Sequence, residues 1–187
     1  FQKTAQNINK NLNNEELTEV EKWKIIKNIS LEKLKDTLSL LNHDFDLWLG
    51  ESDVNKLIKP MVEDLIKRKK VEYNDGAIVS CQESDPRILI TKSDGSYLYL
   101  TTDLGTILNR LEKNPYDAAL YVVDNRQKLH FEQLFSSIEY FDFPEKEYAH
   151  VSFGTINDED GNPYKTREGG TKQLTALYKE TFDYIKN

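Results

Sequence analysis

Apolar residues recur along this chain first at helical and then at strand spacing. Leu17, Val20, Ile25 and Ile26 fall within residues 15–28 and predict a short helix with those side chains available for burial. Ser30 suits the N-cap of a second helix, in which Leu31, Leu34, Leu38 and Leu41 share a face until Asn42-His43-Asp44 ends it. Phe45, Leu47 and Leu49 alternate with polar or aromatic residues, so a strand is expected before Gly50. Ser52 or Asp53 then caps a helix over residues 54–69, which Pro60 kinks or splits. Short strands follow over about residues 71–91, with turns at Asn74-Asp75-Gly76 and Asp85-Pro86.

The stretch 92–131 carries the densest pattern. Asp94-Gly95 turns the chain into Tyr97, Leu98, Tyr99 and Leu100, a β-favouring run. Thr101 or Thr102 caps a helix with Leu104, Ile107, Leu108 and Leu111 on one face, placing Asp103 in its first turn, where the macrodipole favours a carboxylate. Asn114-Pro115 ends that helix. Residues 118–123 are almost wholly apolar, the composition of a strand buried in a parallel sheet. Asp124 and Gln127 follow at its carboxyl end, the edge where open α/β sheets bind ligands. A further helix over 127–140 places Phe131, Leu134, Phe135 and Ile138 together. Phe143-Pro144 interrupts, residues 148–153 form a last strand, and a closing helix turns Leu174, Leu177, Tyr178 and Ile185 inward. Strand and helix alternate, so the class is α/β with a parallel sheet, preceded by helices.

Composition narrows the picture. A chain of 187 residues, 38% hydrophobic and 30% charged, suits one globular domain or one with a small appendage. No apolar run approaches the roughly 20 residues of a membrane span, and residues 1–14 have no signal-peptide core. The chain also lacks an initiator Met and reads as processed or excised from something longer. Cys81 is the single cysteine, which excludes an internal disulfide and points to a reducing cytoplasm. One Cys and three scattered His residues exclude a zinc ribbon, and no metal ligands are assigned. A net charge of −7 argues against strong nucleic-acid binding by this piece alone. The one basic run, Lys67-Arg68-Lys69-Lys70, reads as a solvated helix end.

Four segments around and within this pattern resemble the class I arginyl-tRNA synthetases over roughly residues 30–187. The central one is Asp94-Gly95, Tyr99 and Asp103-Leu104, followed by Tyr121-Val122-Val123-Asp124, Arg126-Gln127 and His130-Phe131. Upstream stands Phe45-Asp46-Leu47-Trp48-Leu49-Gly50-Glu51-Ser52. Downstream stand His150-Val151-Ser152-Phe153-Gly154 and Pro163-Tyr164-Lys165-Thr166-Arg167-Glu168-Gly169-Gly170. The resemblance implies part of a Rossmann-like nucleotide fold, with residues 1–50 a helical insertion and 51–187 the second half of the catalytic domain.

It also implies roles. A guanidinium presents five donors in a planar fork, so its receptor supplies carboxylates and other acceptors. By resemblance Glu51 and Asp103 pair with the guanidinium of arginine, while Tyr99 and Gln127 pack or hydrogen-bond around it. On the residues alone, Asp103 reads as a helix-end carboxylate and Tyr99 as core. His130 and Phe131 match positions near ATP, although a structural histidine and a core phenylalanine fit them equally well. Lys165, Thr166 and Arg167 occupy the place of the class I signature loop, in a variant form, where cations stabilise the triphosphate as pyrophosphate leaves. ATP with Mg²⁺ is then a substrate, no tightly bound cofactor is expected, and the partners are L-arginine, ATP and arginine tRNA.

One departure is an absence: nothing in the sequence resembles the His-x-Gly-His motif of the family, so half of the ATP site is expected to be missing. Three readings stay open. The first is part of an arginine–tRNA ligase, inactive alone. The second is a stand-alone, non-catalytic module binding arginine or a nucleotide. The third is a hydrolase using Glu51 and Asp103 as its carboxylate pair.

Overall fold

The computed structural model describes residues 18–82, 86–155, 157, 161 and 174–186. The chain divides into two units, one drawn from Phe1–Trp48 and Lys165–Asn187, the other from Leu49–Tyr164.

The first unit holds helix α1, Glu19–Leu40, and the final helix, Leu174–Lys186. A capping box starts α1: Glu21 N donates to Thr18 Oγ1 at 3.3 Å, and Thr18 N to Glu21 Oε2 at 2.8 Å. The sequence predicts two helices here, with a break before Ser30, but α1 runs straight through. No Gly or Pro stands between residues 19 and 40 to stop it, and a polar residue in mid-helix is a weak signal. None of its side chains is buried: Val20 is 59% exposed and Leu34 47%. The expected strand at Phe45, Leu47 and Leu49 is absent; each is more than half exposed, and the Phe45 ring stands edge-on to Trp48. Alternation describes a strand only where a neighbouring strand takes up its backbone hydrogen bonds. The final helix likewise buries no residue, and Ile185, expected inward, lies open.

The second unit begins with a three-ten turn, Glu51–Asp53, stapled by Gly50 N donating to Asp53 Oδ2 at 2.7 Å. Helix α2, Asn55–Lys67, follows without a side-chain cap and continues unbroken past Pro60, which faces solvent. The predicted hairpin then forms. Strands β1, Val71–Asn74, and β2, Ala77–Ser80, pair antiparallel about Asp75 and Gly76. Both turn residues have positive φ, 48° and 80°, the mirror-image turn that matches strand twist. Strand β3, Leu89–Thr91, adds to β2 across a register shift.

Helix α3, Tyr99–Lys113, is capped by Leu98 and so starts three or four residues earlier than predicted. Tyr97 contributes only an isolated bridge to Thr91, and Leu98 is the last extended residue. From there Leu100, Leu104 and Ile107 are buried at helical spacing, so core contacts override the β preference of the aromatic run. Neither threonine caps the helix. Thr101 Oγ1 instead donates to the Ile90 carbonyl at 2.6 Å, and Thr102 Oγ1 to Leu98 at 3.1 Å. Asp103 is therefore the fifth helical residue, beyond the first turn, where the dipole has faded.

Strand β4, Ala118–Asp124, pairs in parallel with β5, Glu147–Phe153, and helix α4, Lys128–Tyr140, forms the crossover between them. The parallel pairing is as expected, but the strands are not buried on both faces. Tyr121, Val123, Tyr148 and His150 turn towards the core, whereas Leu120 and Val122 are 67% and 66% exposed. Among the described residues only one face of this pair is covered by a helix.

One apolar cluster joins these elements. Ile58, Val62 and Leu65 of α2 meet Leu104 and Ile107 of α3 and Leu134 and Ile138 of α4, all 5% exposed or less. Gly105 sets the closeness of α2 and α3: a Cβ there would stand 3.3 Å from Ile58 Cγ1. The basic run is more than a solvated helix end. Arg68 Nη1 donates to the Phe141 carbonyl at 2.9 Å, and Lys70 Nζ to that of Tyr140 at the same distance. Both cations also lie within 4 Å of Asp142, which fastens the end of α2 to the end of α4.

The Thr101–Ile90 bond gives a direct test of how α3 is docked. Thr101→Val keeps shape but leaves a buried carbonyl short of its donor, a cost of about 1–3 kcal/mol. A lower urea midpoint at unchanged slope is expected in equilibrium unfolding of the full-length protein.

Candidate active site

The three-ten turn at Glu51, the β3–α3 connection and the start of α4 border a recess of about 520 Å³. Glu51, Lys92, Tyr97, Tyr99, Thr102, His130 and Gln133 line it. Each is placed by a local cause. Glu51 opens the turn held by the Gly50–Asp53 bond. Tyr99 is the first residue of α3 and is 75% exposed because Leu98 and Leu100 take the inward directions around it. His130 and Gln133, three apart, share one face of α4.

Asp103 stands behind this lining. Its Oδ2 lies 2.7 Å from His130 Nε2, with the side chains 33% and 26% exposed. Of the residues expected around a guanidinium, the fold thus gathers Glu51 and Tyr99 in one recess and joins Asp103 to it through His130. Gln127 is not brought in. It is the exposed residue that ends a three-ten turn, Asn125–Gln127, and caps α4. Phe131 is 5% exposed and belongs to the core, beside Tyr121 and Phe135 and stacked on His150 at 5.0 Å. It is the core phenylalanine that its place on the apolar face of α4 suggested. Lys165, Thr166 and Arg167 lie outside the described residues. Sequence reasoning passed over Lys92 and Gln133 and offered Thr102 only as a helix cap; only the helical spacing of Gln133 from His130 could have drawn attention to it.

Two groups beside the site have shifted acidities. Arg126 clasps Asp124 through Nε and Nη2 at 2.9 and 2.8 Å and through its own backbone N–H, holding that carboxyl below the usual range. Asp124 is thereby committed to closing the turn after β4 rather than to a ligand. Burial pushes the Tyr121 phenol up to about 12, against the opposing pull of Arg110, whose guanidinium lies over the ring. Among the described residues, no group of three His, Cys, Asp or Glu side chains gathers as a metal site would need.

A parallel strand pair with its crossover helix is a unit of Rossmann-like α/β folds, and the recess beside it bears carboxylate, phenol and imidazole. The family model described as "tRNA synthetases class I (R), catalytic domain" matches residues 1–186, and the chain belongs to that family. The arginine–tRNA ligase of Alkaliphilus oremlandii (strain OhILAs) is 41% identical over 173 residues, covering 88% of this chain and 30% of that one. That of Francisella tularensis subsp. novicida (strain U112) is 40% identical over 169 residues, with 88% and 29% covered. In fold, the arginyl-tRNA synthetase from Plasmodium falciparum superposes with a TM-score of 0.69 at 24% identity, over 98% of this chain and 31% of that one. The chain therefore spans about 30% of the length of the curated relatives it matches. No described helix is long and apolar enough to cross a membrane.

Among the described residues the Tyr121 hydroxyl is buried with no partner in hydrogen-bonding geometry, the Arg110 guanidinium lying over the ring instead. Tyr121→Phe should leave the full-length protein equally stable or more stable by up to about 1 kcal/mol, because no bond is lost and an orphaned polar group is removed. Thermal unfolding monitored by calorimetry reads the change.

Proposed function

We propose that this chain supplies part of the catalytic domain of an arginine–tRNA ligase, which activates L-arginine with ATP and transfers it to arginine tRNA. The observation that carries the reading is the gathering of Glu51, Tyr99 and the His130–Asp103 pair about one recess. A carboxylate in the recess and a second one joined to it suit a cation with several donors. Under this reading Glu51 and Asp103 balance the guanidinium charge and Tyr99 covers its face, while Gln127, outside the recess, is given no part in holding the guanidinium. His130 adjoins the nucleotide side, with Phe131 packed behind it. The unit Leu49–Tyr164 supports placing the start of the second half of that catalytic domain near residue 51.

The reaction needs no covalent protein nucleophile. The arginine carboxylate oxygen attacks the α-phosphorus of ATP, pyrophosphate leaves, and a ribose hydroxyl of the tRNA end then takes the arginyl group from the adenylate. The protein contributes position and electrostatics. Mg²⁺ arrives with ATP, held mainly by phosphate oxygens and water. Lys165 and Arg167, with Thr166 between them, are assigned to the triphosphate, where positive charge stabilises departing pyrophosphate. The lone Cys81 is in keeping with a reducing cytoplasm as the place of action.

The test is arginine-dependent exchange of pyrophosphate into ATP by the full-length protein, with tRNA present. Asp103→Asn should lower the exchange rate at limiting arginine at least about tenfold, since one charged partner of the guanidinium is lost. Unchanged kinetics would remove Asp103 from the site. Lys165→Ala should slow adenylate formation more than it weakens arginine binding, because the charge it meets develops in the transition state. Equal losses would instead give the loop a binding role only.

A further inference from the structure

His130 and Asp103 come from different helices, α4 and α3, and each is held from behind. Asp103 is followed by Leu104, which is 0% exposed, so the backbone of α3 has little freedom there. The His130 ring stands edge-on to Phe131, 5.2 Å between centroids. Phe131 stacks on His150, and His150 Nε2 lies 3.2 Å from the Val123 carbonyl on β4. A continuous line of rings thus runs from the carboxyl end of β4 to the Asp103 carboxylate. His130 lines the recess while Asp103 does not, and the second oxygen of Asp103 has no hydrogen bond among the described residues.

We propose that His130 is a positioning residue for Asp103 in arginine recognition. Its Nε2–H donates to one carboxylate oxygen and fixes the rotamer, so that the other oxygen of this one-third exposed side chain accepts from the guanidinium at the border of the recess. A carboxylate fixed in advance loses less rotamer freedom when arginine binds, and that saving appears as affinity. The proposal rests on Asp103 being an arginine residue, as read above, and moves His130 from the nucleotide alone to the amino acid as well.

The experiment measures L-arginine binding to the full-length protein by calorimetry with no ATP present. His130→Ala should raise the arginine Kd about tenfold, the scale of one charge-assisted hydrogen bond. His130→Gln, whose amide retains a donor, should recover most of that loss; His130→Phe, a ring without a donor, should not, and it replaces the alanine variant if that one fails to fold. The double variant Asp103→Asn with His130→Ala should bind no more weakly than Asp103→Asn alone, because His130 acts through Asp103. Arginine affinity unchanged in His130→Ala, with only the KM for ATP raised, would overturn the proposal and leave His130 a nucleotide residue. Additive losses in the double variant would overturn it too. If Asp103→Asn itself binds arginine normally, the arginine assignment of the recess fails, and this proposal falls with it.

Discussion

The second unit depends on the packing of α3 between α2 and α4. Leu104 and Ile107 are 0% exposed, with Ile58 and Leu65 on one side and Leu134 on the other equally enclosed. The site residues flank these anchors in sequence. Asp103 precedes Leu104, Tyr99 precedes Leu100, and His130 precedes Phe131. Burying an apolar residue fixes the direction of its neighbour, so the core dictates where the polar groups stand. Gly105 makes the arrangement tight, since a methyl group there would press on Ile58.

Charge is used structurally around this core. Arg68 and Lys70 bind main-chain oxygens at the C-terminal end of α4, and Arg126 closes the turn after β4 by holding Asp124. These contacts secure the two ends of α4. The orientation of the helix carrying His130 is thus set at both termini as well as along its buried face. A titratable pair at 2.7 Å, held from both sides, is better placed for recognition than either residue would be on a free loop.

Hydrophobic pattern was a good guide wherever the burial partner lay nearby in the chain. The Asn74-Asp75-Gly76 turn, the four-residue strands beside it and the apolar face of α4 follow from local rules. The pattern misled where its meaning depended on a partner. Tyr97, Leu98, Tyr99 and Leu100 have strand character yet straddle a helix start, because Leu100 is drawn into the core with Leu104. Phe45, Leu47 and Leu49 alternate with no strand to pair with among the described residues. Leu120 and Val122 belong to an apolar run that reads as wholly buried, and among the described residues they point away from the helix packed on that pair.

By itself the sequence determined the α/β class, the parallel pairing of the last two strands and, through its motifs, the family. These depend on residue identity and short spacings, which the chain states directly. Only the tertiary structure decided that Glu51 and Tyr99 meet across a gap of 48 positions, that Gln127 stays outside the recess, and that Asp103 reaches it through His130. Phe131 became core rather than a ligand contact for the same reason: its neighbours Tyr121 and His150 arrive from two separate strands. Such meetings are set by how helices pack on a sheet, and packing is a property of the whole unit rather than of any stretch within it.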